Sequence, residues 1–320
     1  MKYSIENMKK LINSLSNIPD NIIEGSLLKY IIRVGEYEIE KIKNYEIINM
    51  LQYSNNDIVR TFYEYEFPID LEVIVDFFEA LLAKDNVTEN GIVFTPMYIS
   101  DYIVSNAINY IGGYREDVKI MDPGCGCGIF LISAIKFIHE NYEVPIRTIV
   151  KNNIYGIDLD PDNTRRCKFA ISIFELITNG EINDNCISVI QGDSLKLDWD
   201  TEFKVKGYDV IIGNPPYVNT HDMQKSTAKF LKETFETTKT GVYNIFYAFI
   251  EHGIKYLSGN GVLSYIVPNN FLTIKSAQEL RKMLKRDNYI KSILDFGDNM
   301  VFKPVRTYNC IIKVSKTPAN

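Results

Sequence analysis

Residues 208–217 read Tyr-Asp-Val-Ile-Ile-Gly-Asn-Pro-Pro-Tyr. The first six form an apolar run of the kind that fills a parallel strand buried on both faces. Two successive prolines end it. They lack backbone N–H donors and fix φ, so neither strand nor helix continues through them. An amide, two prolines and an aromatic ring therefore sit at the carboxyl end of a strand, where open α/β sheets bind ligands. The stiff Pro215 carbonyl stands beside the Asn214 side-chain oxygen. Two acceptors side by side can grip one exocyclic amino group, and Tyr217 offers a flat face to the ring that carries it. The tetrapeptide points to chemistry on the amino group of a planar base.

The rest of the chain supplies the sheet that such a strand needs. From Gly91 onward apolar strands alternate with amphipathic helices: Val118–Met121, a helix over 129–139, Ile154–Ile157, a helix over 161–177, Ile187–Ile190 and Val210–Ile212. That alternation implies βαβ units and a doubly wound, mostly parallel sheet. A helix near 245–256, a strand at 262–267 and a helix near 277–285 follow. Strands near 290–296 and 308–314 are separated only by a loop. A loop cannot make a parallel crossover, so these two are expected to run antiparallel. Upstream, Ile22, Ile23, Leu27, Leu28, Ile31 and Ile32, then Leu71, Ile74, Val75, Phe78 and Leu81, recur at helical spacing. The organisation expected is a small helical domain over 1–88 and an α/β catalytic domain over 89–320.

The chain has 320 residues, 46% of them hydrophobic, which suffices for a large domain plus a smaller one. There are 35 Lys and Arg against 41 Asp and Glu, a net charge of −6, which argues against strong unaided binding to nucleic acid. Five scattered cysteines do not make a disulfide framework. With no signal peptide or long apolar run, a soluble cytoplasmic protein is expected, with no membrane partner.

The first strand–helix turn is Asp122-Pro123-Gly124-Cys125-Gly126-Cys127-Gly128. Its glycines allow a tight turn and close approach of a ligand, but the spacing is not that of a pyrophosphate loop. A dehydrogenase is thereby disfavoured. Asp122, at the strand end, suits a ligand ammonium. The Cys-x-Cys pair lacks partners at metal-site spacing, so no metal is expected. The second strand ends in Gly-Ile-Asp158-Leu-Asp160-Pro161, where an acid grips a ribose diol. Asp158 is assigned that role, and Asp160 caps the helix that Pro161 opens. The third strand ends at Asp193, suited to a purine amino group.

This succession of strand tips, closed by Asn-Pro-Pro-Tyr, resembles the γ-class S-adenosylmethionine-dependent N6-adenine DNA methyltransferases of bacterial restriction–modification systems. The likeness reaches upstream to Gly91-Ile-Val-Phe-Thr95-Pro96 and downstream to residues 261–272 and to Val301-Phe302-Lys303-Pro304. It implies a Rossmann-like methyltransferase fold and S-adenosyl-L-methionine as cofactor, held by Thr95, Asp122, Gly124, Gly126, Asp158 and Asp193. Phe249 is a further expected wall of that pocket, although its position also suits the core face of a helix. The resemblance further implies that Asn214, Pro215 and Tyr217 hold a flipped-out adenine, with Phe302 closing its other face.

The partner implied is DNA. Lysines 225, 229, 232 and 239 are candidate phosphate contacts; Lys275, Arg281, Lys282, Lys285 and Arg286 read as a solvated helix face. Family relatives usually continue into a target-recognition domain, whereas this sequence ends at Asn320. A separate specificity subunit or further chain is therefore expected to read the target, with a contribution from the helical N-terminal domain as the third reading. Two other readings share the tetrapeptide: methyl transfer to adenine in RNA or to a glutamine amide of a release factor. A non-catalytic scaffold subunit is a third, but such a chain would be expected to lose one of the motifs retained here.

Overall fold

The computed structural model describes residues 3–82, 95–183, 187–297, 299 and 308–317. Seven strands form one sheet: β1 (Ile120–Asp122), β2 (Ile154–Asp158), β3 (Val189–Gln191), β4 (Tyr208–Gly213), β5 (Leu257–Pro268), β6 (Ile290–Asp295) and β7 (Asn309–Ser315). Their order is 3-2-1-4-5-7-6. The pairs from β3 to β5 are parallel; β7 lies antiparallel between β5 and β6. The loop-linked pair is thus antiparallel, as its connection demanded. The insertion of β7 beside β5 was not foreseen, because nothing local to either strand specifies a neighbour so distant in sequence.

β1 and β4 are buried almost throughout, and the crossover helices cover both sheet faces. Helix Ile129–Tyr142 and helix Pro161–Asn179 follow β1 and β2, close to the expected bounds. Asp160 accepts a hydrogen bond from the Asp162 amide at 2.8 Å, the N-cap its position before Pro161 implied. Helices Met97–Tyr110 and Lys225–Thr234 were not anticipated. The first buries a face of seven residues interrupted by polar ones and the second buries only Leu231, weaker signals than a strand of consecutive aliphatics.

The N-terminal segment is helical, as expected. Its buried residues belong to the same apolar cluster as the sheet, running from Leu11 and Phe62 to Ile120 and Ile154. The 88/89 boundary lies outside the described residues. A buried ionic clamp ties the two parts together. Glu24, from helix Asp20–Val34, accepts from Arg166 Nε at 2.8 Å and from Arg165 Nε and Nη2 at 2.8 and 2.9 Å. Arg166 is 0% exposed and also reaches Asp20. Both arginines sit in the first turns of helix Pro161–Asn179, which begins at the β2 tip. Removing one partner of a buried pair strands the other charge. Glu24→Ala is therefore expected to cost about 3–5 kcal/mol of stability in urea unfolding. A loss below about 1 kcal/mol, the range of exposed pairs, would show that the clamp is solvent-screened.

Candidate active site

Strand order reverses between β1 and β4, which opens a crevice at their carboxyl ends. Adjacent strand tips there are laced to one another. The Asp158 carboxylate accepts from the Gly126 amide at 2.8 Å, the Asp160 amide at 2.9 Å and Asn163 Nδ2 at 3.0 Å. The Gly192 amide donates to the Asp158 carbonyl, and Ser194 Oγ donates to the Pro123 carbonyl at 2.6 Å. The glycine turn is thus held from β2 and from the loop after β3. Gly128, at φ +99°, opens helix Ile129–Tyr142; a side chain there would meet Cys167 Sγ at 2.7 Å.

Along these tips runs a cavity of about 390 Å³. Of the residues named from sequence, Gly124, Asp158, Asp193, Asn214 and Phe249 line it. Asp193 pairs with Lys196 at 2.7 Å at its rim. Thr95 and Gly126 lie one hydrogen bond behind the lining, on Asn214 and Asp158 respectively. Pro215 is buried and Tyr217 half-buried, beside the lining residues Asn214 and Pro216. Phe302 lies outside the described residues. Sequence reasoning missed Leu159, Phe230 and Ile245, which add apolar walls. Leu159 is 70% exposed, the one sign that it awaits an apolar surface. Its signal in the sequence was its place next to Asp158.

The Asn214 side chain is oriented from two sides. Its Nδ2 donates to Thr95 Oγ1 at 3.1 Å, and its Oδ1 accepts from the Tyr217 hydroxyl at 2.5 Å. The Tyr217 hydroxyl points inward and is shared with the Ile266 carbonyl at 3.1 Å. Burial raises the Tyr217 phenol far above its ordinary range, so it remains a protonated donor. The loop after the tetrapeptide is pinned as well: the Ile245 amide donates to the Val218 carbonyl at 2.9 Å and the Thr220 amide to the Tyr243 carbonyl at 3.0 Å.

Asp122 is 1% exposed and lies beneath the cavity lining. Its Oδ1 accepts from the Gly124 amide at 3.1 Å; its Oδ2 has no partner among the described residues. Gly213, at φ +150°, leaves room for it, since a Cβ there would meet Oδ1 at 2.7 Å. Desolvation pushes the Asp122 carboxyl up to about 8, opposed by the Gly124 bond and assisted by nearby Asp158. The neighbouring Tyr265 hydroxyl is likewise buried without a partner among the described residues. Among those residues no group of three or more His, Cys, Asp or Glu is placed to hold a metal. The Cys125 thiol is raised by a hydrogen bond with Cys167 and by burial, and burial raises that of Cys127.

Residues 152–302 match the Eco57I restriction-modification methylase family. The chain is 28% identical over 289 residues to the type II restriction enzyme and methyltransferase RM.Eco57I of Escherichia coli, covering 73% of this chain and 28% of that one. It is 27% identical to the type II methyltransferase M.BanIII of Aneurinibacillus aneurinilyticus, covering 70% and 38%. The chain is thus similar to restriction–modification methylases. It spans well under half the length of these methylase relatives. At the level of fold, it superposes on DrdV from a DrdV–DNA complex with a TM-score of 0.67, 17% identity, and coverage of 98% of this chain and 37% of that one. A Listeria monocytogenes protein provisionally assigned to the class I S-adenosylmethionine-dependent methyltransferases aligns with a TM-score of 0.62 and 16% identity, covering 98% and 88%. The restriction–modification methylase match spans β2 to β6 and includes the tetrapeptide.

The outer face of the cavity carries positive charge. Helix Lys225–Thr234 lines the cavity with Thr227, Phe230 and Leu231, while Lys225, Lys229 and Lys232 are exposed. The later basic set is engaged locally: Arg281 donates to the Phe271 and Ile274 carbonyls, Lys282 pairs with Glu279, and Arg286 with Glu236. No described helix is long and apolar enough to cross a membrane.

Asp122 makes stability depend on pH. Its folded value of about 8 exceeds the unfolded value of 3.8, so between them the native state keeps a proton that the unfolded chain has lost. Stability of the ligand-free protein should fall as pH rises from about 4 to about 8. The thermal midpoint followed over that range should decline, and Asp122→Asn should flatten the decline. Parallel slopes for the two proteins would remove Asp122 as the cause.

Proposed function

We propose that the chain transfers a methyl group from S-adenosylmethionine to the N6 nitrogen of an adenine flipped out of DNA. The observation that carries this reading is the Asn214 amide, oriented by Thr95 in the wall of a cavity built from four strand tips. The residues present fit the cofactor. Asp122 Oδ2 is a buried carboxyl oxygen without a partner among the described residues, and a ligand ammonium beside it would favour the ionised form. Asp158 already accepts three hydrogen bonds, so of a carboxylate's about four lone-pair sites one is left, on Oδ2, for a ribose hydroxyl. Leu159, Ile245 and Phe249 provide apolar walls for a nucleoside base, with Asp193 near them.

The cofactor supplies an electrophilic methyl on a sulfonium. The protein's part is to make a poor nucleophile reactive. The adenine N6 lone pair is delocalised into the ring. Hydrogen bonds from the amino group to Asn214 Oδ1 and the Pro215 carbonyl favour a more tetrahedral nitrogen with a localised pair. Preorganisation is what gives such acceptors their value. Here it comes from Thr95, the two prolines and the pinned loop after them. Extruding the base costs a few kcal/mol. Stacking on an aromatic ring returns about 1–3 kcal/mol. Tyr217 and Phe302 are the rings assigned to that role. The exposed lysines of helix Lys225–Thr234 lie beside the entrance and are assigned to phosphate contact.

Asn214→Ala should abolish methyl transfer to DNA while S-adenosylmethionine still binds, as measured by calorimetry. Turnover near the wild-type level in that variant would take Asn214 out of the mechanism.

A further inference from the structure

We propose that Asn309 is a positioning residue for this reaction, acting through the Tyr217 hydroxyl to release the Asn214 oxygen to substrate. The inference rests on the function proposed above.

Asn309 is the first residue of β7 and pairs with Pro268 at the end of β5. It is 0% exposed. Its Nδ2 donates to the Tyr217 hydroxyl at 3.3 Å, and its Oδ1 has no partner among the described residues. A buried amide with an unpaired oxygen costs stability, so an apolar residue of similar size would serve packing better. Its retained polar contact is directed at one atom of the tetrapeptide.

That atom has a choice to make. The Tyr217 hydroxyl carries one proton and stands within reach of two acceptors, Asn214 Oδ1 at 2.5 Å and the Ile266 carbonyl at 3.1 Å. Only one can receive the proton at a time. While Tyr217 donates to Asn214, that oxygen is less available to a substrate amino group. When an amino group arrives, it can take the second lone pair of that oxygen, and the hydroxyl can turn to Ile266 to leave the oxygen undivided. The Asn309 donor fixes the hydroxyl oxygen from a third side, at a point from which both acceptors remain reachable. The proton can then change partner while the ring keeps its seat. The phenol stays protonated throughout, because burial holds it neutral. Without Asn309, the amino group meets a tyrosine whose hydroxyl is no longer held for that exchange.

The experiment is a double-mutant cycle on methyl transfer from S-adenosylmethionine to adenine-containing duplex DNA. It uses wild type, Asn309→Leu, Tyr217→Phe and the double variant. Asn309→Leu should lower kcat by about tenfold or more through mispositioning. Its thermal midpoint should be equal or higher, and its S-adenosylmethionine affinity unchanged. In the Tyr217→Phe background, which has no hydroxyl to hold, Asn309→Leu should add nothing. A wild-type kcat in Asn309→Leu, or losses that multiply across the cycle, would overturn the proposal. If the leucine variant misfolds, Asn309→Ala takes its place under the same criteria. A crystal structure of the folded variant supplies a readout that needs no activity. The Tyr217 hydroxyl should leave its shared position between Asn214 and Ile266; finding it unmoved would refute the role. Should wild type transfer no methyl group to DNA, the function fails, and this displacement still decides whether Asn309 positions Tyr217.

Discussion

The site depends on one pairing: β4 lies parallel to β1, with Val210 beside Ile120 and Ile211 beside Met121. That pairing is where strand order reverses, so crossover helices on either side lead away from it and leave a crevice. It also sets Asp122 and Asn214 at neighbouring tips. Gly213 follows as a consequence. A side chain there would drive into Asp122, so the residue before the tetrapeptide must lack one. The proximity that serves chemistry forces a buried carboxylate against a strand, and desolvation raises that carboxyl.

Rigidity in the crevice comes from hydrogen bonds between segments that are far apart in sequence. Thr95 reaches Asn214 across 119 positions, and Ser194 reaches Pro123 across 71. The N-terminal helices take part through Glu24, Arg165 and Arg166, which hold the first turns of the helix that follows Asp158. A site of precise acceptors needs this lacing, because side chains placed by short contacts alone would drift by more than reaction geometry tolerates.

Much of this was legible in sequence because parallel strands buried on both faces leave uninterrupted apolar runs. Val210–Ile212 and Ile154–Ile157 could hardly be read otherwise, and acids or amides at their ends mark the crevice. Asp160 as a helix cap followed from its place before Pro161. The orientation of Tyr217 was not legible. Its hydroxyl turns inward because Ile266 and Asn309, from β5 and β7, offer it partners, and no local pattern announces a strand inserted from the end of the chain. Phe230 escaped notice for a similar reason: helix Lys225–Thr234 reads as a lysine-rich stretch until its inner face is seen against the cavity.

The fate of a labelled methyl group decides which acceptor this site serves. S-adenosylmethionine carrying tritium on the methyl is offered with duplex DNA, RNA and a release factor in separate reactions, and the products are digested and separated. Label should appear in N6-methyladenine from DNA. Label confined to RNA or to protein glutamine, or to another base of DNA, would contradict the proposed function.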